Sequence, residues 1–253
     1  MSELKKTGVD SDEWEMLKAY TNARIALGRT GVSIPLRESL QFKLAHAHAK
    51  DAVYSQLNCE ELQAILAISN VPIYTVRSRA TNRDTYLQRP DLGRLLDDPS
   101  VEKLQQIAGL PADISLIIAD GLSATAVMQN AGLVVNPLVG KLQQAGYSLA
   151  PIILVEQGRV AIMDAIGGLL RSRLAIILIG ERPGLSSFDS MGAYITFAPQ
   201  PGLTDERRNC ISNIRQQGLS PDLAVDKLMY LIQSAFRMQI TGVALKDNDG
   251  LLD

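Results

Sequence analysis

Three aliphatic runs of strand length, Ile114 to Ala119, Pro151 to Val155 and Leu174 to Ile179, are separated by stretches with helical periodicity. Runs apolar on both faces of a pleat need helices on both sides, as in parallel strands joined by crossover helices. The connecting stretches suit that role. Ser123 to Ala145 carries two glycines and a proline that make its helicity uneven, and in Arg159 to Arg171 the residues Ile162, Ile166, Leu169 and Leu170 form one apolar stripe. Ala193 to Phe197 is a weaker fourth strand, and Pro221 to Met238 reads as a last long helix. The expectation is an α/β fold: a Rossmann-like, mostly parallel sheet with helices on both faces over residues 111–253, beginning near Pro111.

Residues 1–110 read differently, as a smaller helical domain. Asp10 and Glu13 can form a capping box, Trp14, Leu17 and Tyr20 recur at helical spacing, and Gly28 is placed to end that helix in a left-handed turn. A second helix is expected from Pro35, carrying Leu36, Leu40, Leu44, Val53 and Leu57 towards a core, and a third from Glu60 to Ile68. After Val71-Pro72 the pattern weakens. Arg77, Arg79, Arg83, Arg89 and Arg94 crowd an irregular stretch, read as a solvated or subunit-contact surface, before a short helix around Val101 to Ile107.

A length of 253 residues suits two modest domains, and 46% hydrophobic against 21% charged residues supplies a sizeable core. With 25 Lys and Arg against 27 Asp and Glu, no surplus positive field exists for nucleic acid. Cys59 and Cys210 lie far apart with no metal-clip spacing, so a reducing cytosol is the expected compartment. The N-terminus turns acidic where a signal peptide needs an apolar core, and no apolar run is long enough to span a bilayer.

In parallel sheets, ligands sit beyond the carboxyl ends of the strands, where loops and helix N-termini converge. That rule selects Asp120 to Ser123, Glu156 to Val160 and Gly180 to Gly184, with Glu181 offering a carboxylate to amide donors. A plainer reading stands beside it: Ser123 as a helix cap, Gly158 and Gly184 as turns, Glu181 as a partner of Arg182. Neither G-x-G-x-x-G nor G-x-x-x-x-G-K-[ST] occurs, and no nucleophile with a base is apparent. His46 and His48, two apart on a helix, point to nearly opposite sides and cannot share a metal. Cys210, within Asn209 to Ile214, reads on physical grounds as a buried small hydrophobe.

Several segments together resemble the light chain of ethanolamine ammonia-lyase: TNARIALGRTG from Thr21, HAHAKDAV from His46, RPDLGR from Arg89, DGLSA from Asp120, GERPGL from Gly180 and NCISNI from Asn209. Their order and spacing cover the chain from Thr21 to Lys246. The resemblance implies a helical N-terminal portion, a Rossmann-like C-terminal portion, and the small subunit of an adenosylcobalamin-dependent lyase that converts ethanolamine to acetaldehyde and ammonia by radical chemistry. It implies a hetero-oligomer in which cobalamin lies at the boundary with a large catalytic subunit, and it places cofactor contacts at Val160, Glu181 and Cys210, with no catalytic residue and no metal ligand in this chain. Because no D-x-H-x-x-G stretch occurs, the base-on cofactor is expected. The other reading is a non-catalytic cobalamin or nucleotide carrier. Relatives can carry a longer N-terminal extension that directs the enzyme into a bacterial microcompartment, whereas residues 1–20 alone precede the matched region; cytosol and microcompartment are the two expected locations.

Overall fold

A computed structural model describes residues 8–21 and 23–246. The opening residues read for a targeting signal, 1–7, and Asn22 of the Thr21 stretch lie outside the described residues. In chain order the elements are α1 (Leu36–Tyr54), α2 (Cys59–Leu66), β1 (Ile73–Arg77), α3 (Arg83–Gln88), α4 (Asp98–Ile107), β2 (Ala112–Ala119), α5 (Ala124–Gln144), β3 (Ile152–Glu156), α6 (Ile162–Leu169), β4 (Ser172–Gly180), β5 (Met191–Phe197), β6 (Asn209–Ile214) and α7 (Pro221–Met238).

One six-stranded sheet runs in the order β1-β3-β2-β4-β5-β6. The first four strands are mutually parallel, whereas β5 is antiparallel to both β4 and β6. The sheet is therefore mixed rather than mostly parallel. The physical reason is in the connections: β2, β3 and β4 are joined through α5 and α6, but residues 181–190 hold no helix, and a parallel return needs a crossover of a dozen residues or more.

Alternation along the strands supplies two cores. Leu116, Ile118, Leu154, Ile176 and Leu178 face α2, α5 and α7, while Ile117, Ile153, Val155, Ile177 and Ile179 face α4 and α6. Helix α5 runs unbroken through Gly132 and Pro137. A Cβ on Gly132 would sit 2.4 Å from Ile65 Cγ2, so glycine there lets α2 cross closely.

The N-terminal expectations need three corrections. Residues 1–110 are not all helical: β1 forms one edge of the sheet beside β3, and α2 places Leu62 and Leu66 in the core shared with α5. The first helix is reduced to a single 3-10 segment, Glu15–Ala19, whose stripe is uncovered, with Trp14 65% and Tyr20 86% exposed. Asp10 caps nothing there. It pairs its backbone with Arg29, and Gly28, at φ +73, permits that approach because a Cβ would lie 2.6 Å from the Asp10 carbonyl. Helix α1 forms where expected, yet its leucines do not reach a core: Leu36, Leu40 and Leu44 are exposed and Ala52 is its buried residue.

Candidate functional site

The carboxyl ends of β1 to β4 make one rim. Of the three loops there, the first is closed by the protein itself. Gly121, at φ +56, packs on Gly180 so tightly that a Cβ would lie 2.2 Å from the Gly180 carbonyl oxygen, and Leu122 donates its N–H to that oxygen. Ser123 caps α5 by accepting the Ala126 N–H. Asp120, 1% exposed, accepts the N–H groups of Gln157 and Gly158 and sits 3.6 Å from the Arg83 guanidinium. Burial outweighs these contacts and pushes its carboxyl up to about 6. Arg83 also donates to the carbonyls of Val53 and Gly121, tying the end of α1 to the rim. Asp120 to Ser123 thus clamp loops together instead of lining a ligand, and Arg83 is a buried part of that clamp, unlike the solvated Arg77, Arg79 and Arg89, which pair with Glu156, Asp98 and Asp91.

The other two loops keep accessible groups. Glu181 follows β4, and its carboxylate accepts the Ser190 hydroxyl and, at 3.3 Å, the Asn213 N–H; Arg182 is not its partner. Gly192 lies beneath it, and a Cβ there would meet the carboxylate at 2.9 Å. Strand β6 runs in the same direction as β4, two antiparallel steps away, so its end at Ile214 arrives at the same rim opposite Met191.

Cys210 lies on β6 directly across from Tyr194 of β5. It is an exposed free thiol, 3.3 Å from the Ser212 hydroxyl, and not the buried hydrophobe expected from its residue type. An edge strand explains this: one face of β6 packs Ile211 and Ile214 inward, and the alternate positions have no second layer. Tyr194 packs against the α6-side core together with Val160, which stands just before α6. Burial, then the Cys210 thiol and the Glu181 carboxylate nearby, raise the Tyr194 phenol well above its ordinary range.

Val160, Tyr194, Cys210 and Ser212 therefore share the α6 side of the sheet, and Glu181 closes its upper end. The helices stacked on β5 and β6, α5 and α7, belong to the opposite side. What remains is an open shelf over β5–β6. A buried ion pair that sequence reasoning missed joins this side of the sheet to α6: Arg208, just before β6, binds Asp164 of α6, both side chains 2% exposed. Burial raises the Asp164 carboxyl to about 6. No local motif signals the pair. A cavity of about 430 Å³ opens on α6's outer side between Arg94, Val101, Asp164 and Leu203, and its lining includes none of Val160, Glu181 and Cys210.

His46 and His48 are both exposed on α1 and stack separately on Phe42 and Phe188. No group of three metal-ligating side chains occurs among the described residues, nor any helix long and apolar enough to cross a membrane.

Residues 11–246 match the family model described as ethanolamine ammonia-lyase light chain. Among similar curated proteins are the ethanolamine ammonia-lyase small subunits of Xanthomonas campestris pv. campestris, 50% identical over 239 residues (93% of this chain, 88% of the relative), Ralstonia nicotianae, 50% over 242 residues (94% and 90%), and Azotobacter vinelandii, 51% over 237 residues (92% and 88%).

Proposed function

Because the chain belongs to the ethanolamine ammonia-lyase light-chain family, we propose that it is the small subunit of that lyase and holds adenosylcobalamin against a large catalytic subunit, residues 111–253 forming the cobalamin-binding part. The observation that supports this reading is the face of β5–β6 where Cys210 stands exposed across from Tyr194, with Glu181 tethered to Ser190 and Asn213 at the rim and Val160 on the same side of the sheet just before α6.

A corrin is broad, flat and edged with amides, and the residues here fit such a group. Glu181 uses two contacts, to Ser190 and Asn213, while a carboxylate offers about four lone-pair sites, so it keeps capacity for a corrin amide N–H. Its tether to the ends of β5 and β6 fixes where that acceptor points. Val160 supplies an apolar contact at the shelf's inner border, and Cys210 meets the ring from the edge strand. Bound there, adenosylcobalamin supplies the radical chemistry, and the protein's part is binding, orientation and exclusion of water. A chain with that task needs no nucleophile–base pair of its own. Asp120 and Arg83 hold the loop preceding Val160, and Asp164 with Arg208 joins α6 to the start of β6.

Co-expression with the large subunit of a relative tests the reading. Ethanolamine should yield acetaldehyde when the purified complex is supplied with adenosylcobalamin, and Glu181→Ala should lower cofactor retention at least tenfold without reducing subunit association. Deaminase activity from the chain alone, or tight corrin binding by a lone monomer that ignores the large subunit, would contradict it; the second outcome would make the chain a carrier.

A further inference from the structure

Helix α1 places an apolar row where no described residue of this chain covers it. Leu36, Leu40 and Leu44, four residues apart, are 73%, 54% and 59% exposed, and they line a shallow groove beside Arg37 and Gln41. Val32 and Ile34, just before the helix, are also exposed. The row does not end at Leu44. One step further is His48, stacked on Phe188 at 5.4 Å between ring centroids, and one more step is the buried Ala52. A single inclined i, i+4 row thus begins in the body, crosses the loop over residues 181–190 and emerges into solvent.

That loop also brackets the shelf, since it starts at Glu181 and ends at Ser190, whose hydroxyl holds the Glu181 carboxylate. Arg24 reaches the same loop at the Leu185 carbonyl, and its guanidinium lies over Phe42 of α1. The base of the arm is fixed to the rim as well, because Arg83 binds the Val53 carbonyl and the Ser55 hydroxyl accepts the Thr125 N–H.

We infer that α1 is an arm whose Leu36–Leu40–Leu44 row packs into an apolar groove of the large subunit, so that one partner covers the corrin shelf and the arm together. The inference rests on the proposed small-subunit role and deepens it. Continuity decides the occupant: the loop over 181–190 runs from Glu181, at the upper end of the shelf, across the rim to Phe188 beside the start of α5, so a body seated on that rim meets Glu181 and, beyond Phe188, the exposed leucines. A row of leucines with a buried root and an exposed tip is what a rigid arm that completes its core on another polypeptide requires.

The test uses the full chain co-expressed with the large subunit. Leu36→Ser/Leu40→Ser/Leu44→Ser should weaken association at least a hundredfold, while the isolated variant keeps the far-ultraviolet spectrum and melting temperature of the wild type. Leu36→Met/Leu40→Met/Leu44→Met should restore association. Leu110→Ser, at an exposed leucine before β2 on the opposite rim, should leave it unchanged. Undiminished association of the triple serine variant would overturn the inference, as would an isolated wild-type dimer that this variant alone abolishes while the complex still forms, which would assign the row to a second copy. Failure of the wild-type chain to associate at all is distinguishable from both, and removes the small-subunit reading and the arm with it.

Discussion

In the sheet, residues spaced for burial are buried: Leu116, Ile118, Leu154 and Ile176 lie at 2% exposure or less. In α1 the same kind of spacing leaves Leu36 and Leu44 in solvent. Both patterns are read by one rule, that an apolar face will be covered, but the rule does not say by which polypeptide. The body satisfies its pattern internally through two layers of helices. The arm has its root in the body and its tip without a cover, so the two regions should answer mutation in opposite ways.

The largest contrast is expected at the clamp beneath the rim. Asp120→Ala leaves Arg83 buried without its carboxylate and two loop N–H groups without an acceptor, and should cost about 3–5 kcal/mol in urea unfolding of the isolated chain. Gly121→Ala combines a left-handed backbone with a Cβ that would lie 2.2 Å from the Gly180 carbonyl oxygen, for a loss of roughly 2–4 kcal/mol on the same assay. Retention of wild-type stability by either variant would mean the rim is looser than its packing implies.

The third contrast is in pH. The Asp120 carboxyl is raised from 3.8 to about 6 by burial, so between those values the folded chain binds more protons than the unfolded chain. Its contribution is fully present below pH 3.8 and is lost as pH rises through 6, a change on the order of 1–3 kcal/mol. Asp120→Asn should flatten that part of the stability profile; an unaltered slope would show that the carboxyl titrates elsewhere. The smallest effect belongs to the arm. Leu40→Ala should change the stability of the isolated chain by less than about 0.5 kcal/mol, and a cost comparable to the clamp variants would erase the distinction between the regions.

Strands β2 to β4 are legible because aliphatic runs of five or six residues between helical stretches admit few other structures, and β5 is the weaker fourth. The edges are not legible. Ile73–Arg77 is half-exposed and runs into an arginine-rich stretch, and Asn209–Ile214 interleaves polar residues with isoleucines because one of its faces has no helix above it. The reversal at β5 has a signal in the sequence, the absence of a crossover helix after Gly180. Helix α1 is legible in the sequence but its exposure is not, because amphipathic spacing does not say which polypeptide covers the apolar face. At the site, topology selects Val160 and Glu181 from their places after β3 and β4, whereas Cys210 follows from family resemblance. Asp120 looked like a ligand contact and is a clamp, since sequence cannot tell whether a strand-end carboxylate faces a ligand or the next loop's N–H groups. The Asp164–Arg208 pair joins residues 44 apart, beyond any local pattern.

The central claim, that cobalamin lies on the shelf over β5–β6, is tested most directly by the accessibility of Cys210. In the assembled complex, the rate of maleimide labelling at this exposed thiol should fall at least tenfold when adenosylcobalamin is added, with Cys59, half-buried between α2 and the sheet, unaffected as the internal reference. Equal labelling of Cys210 with and without the cofactor would contradict it.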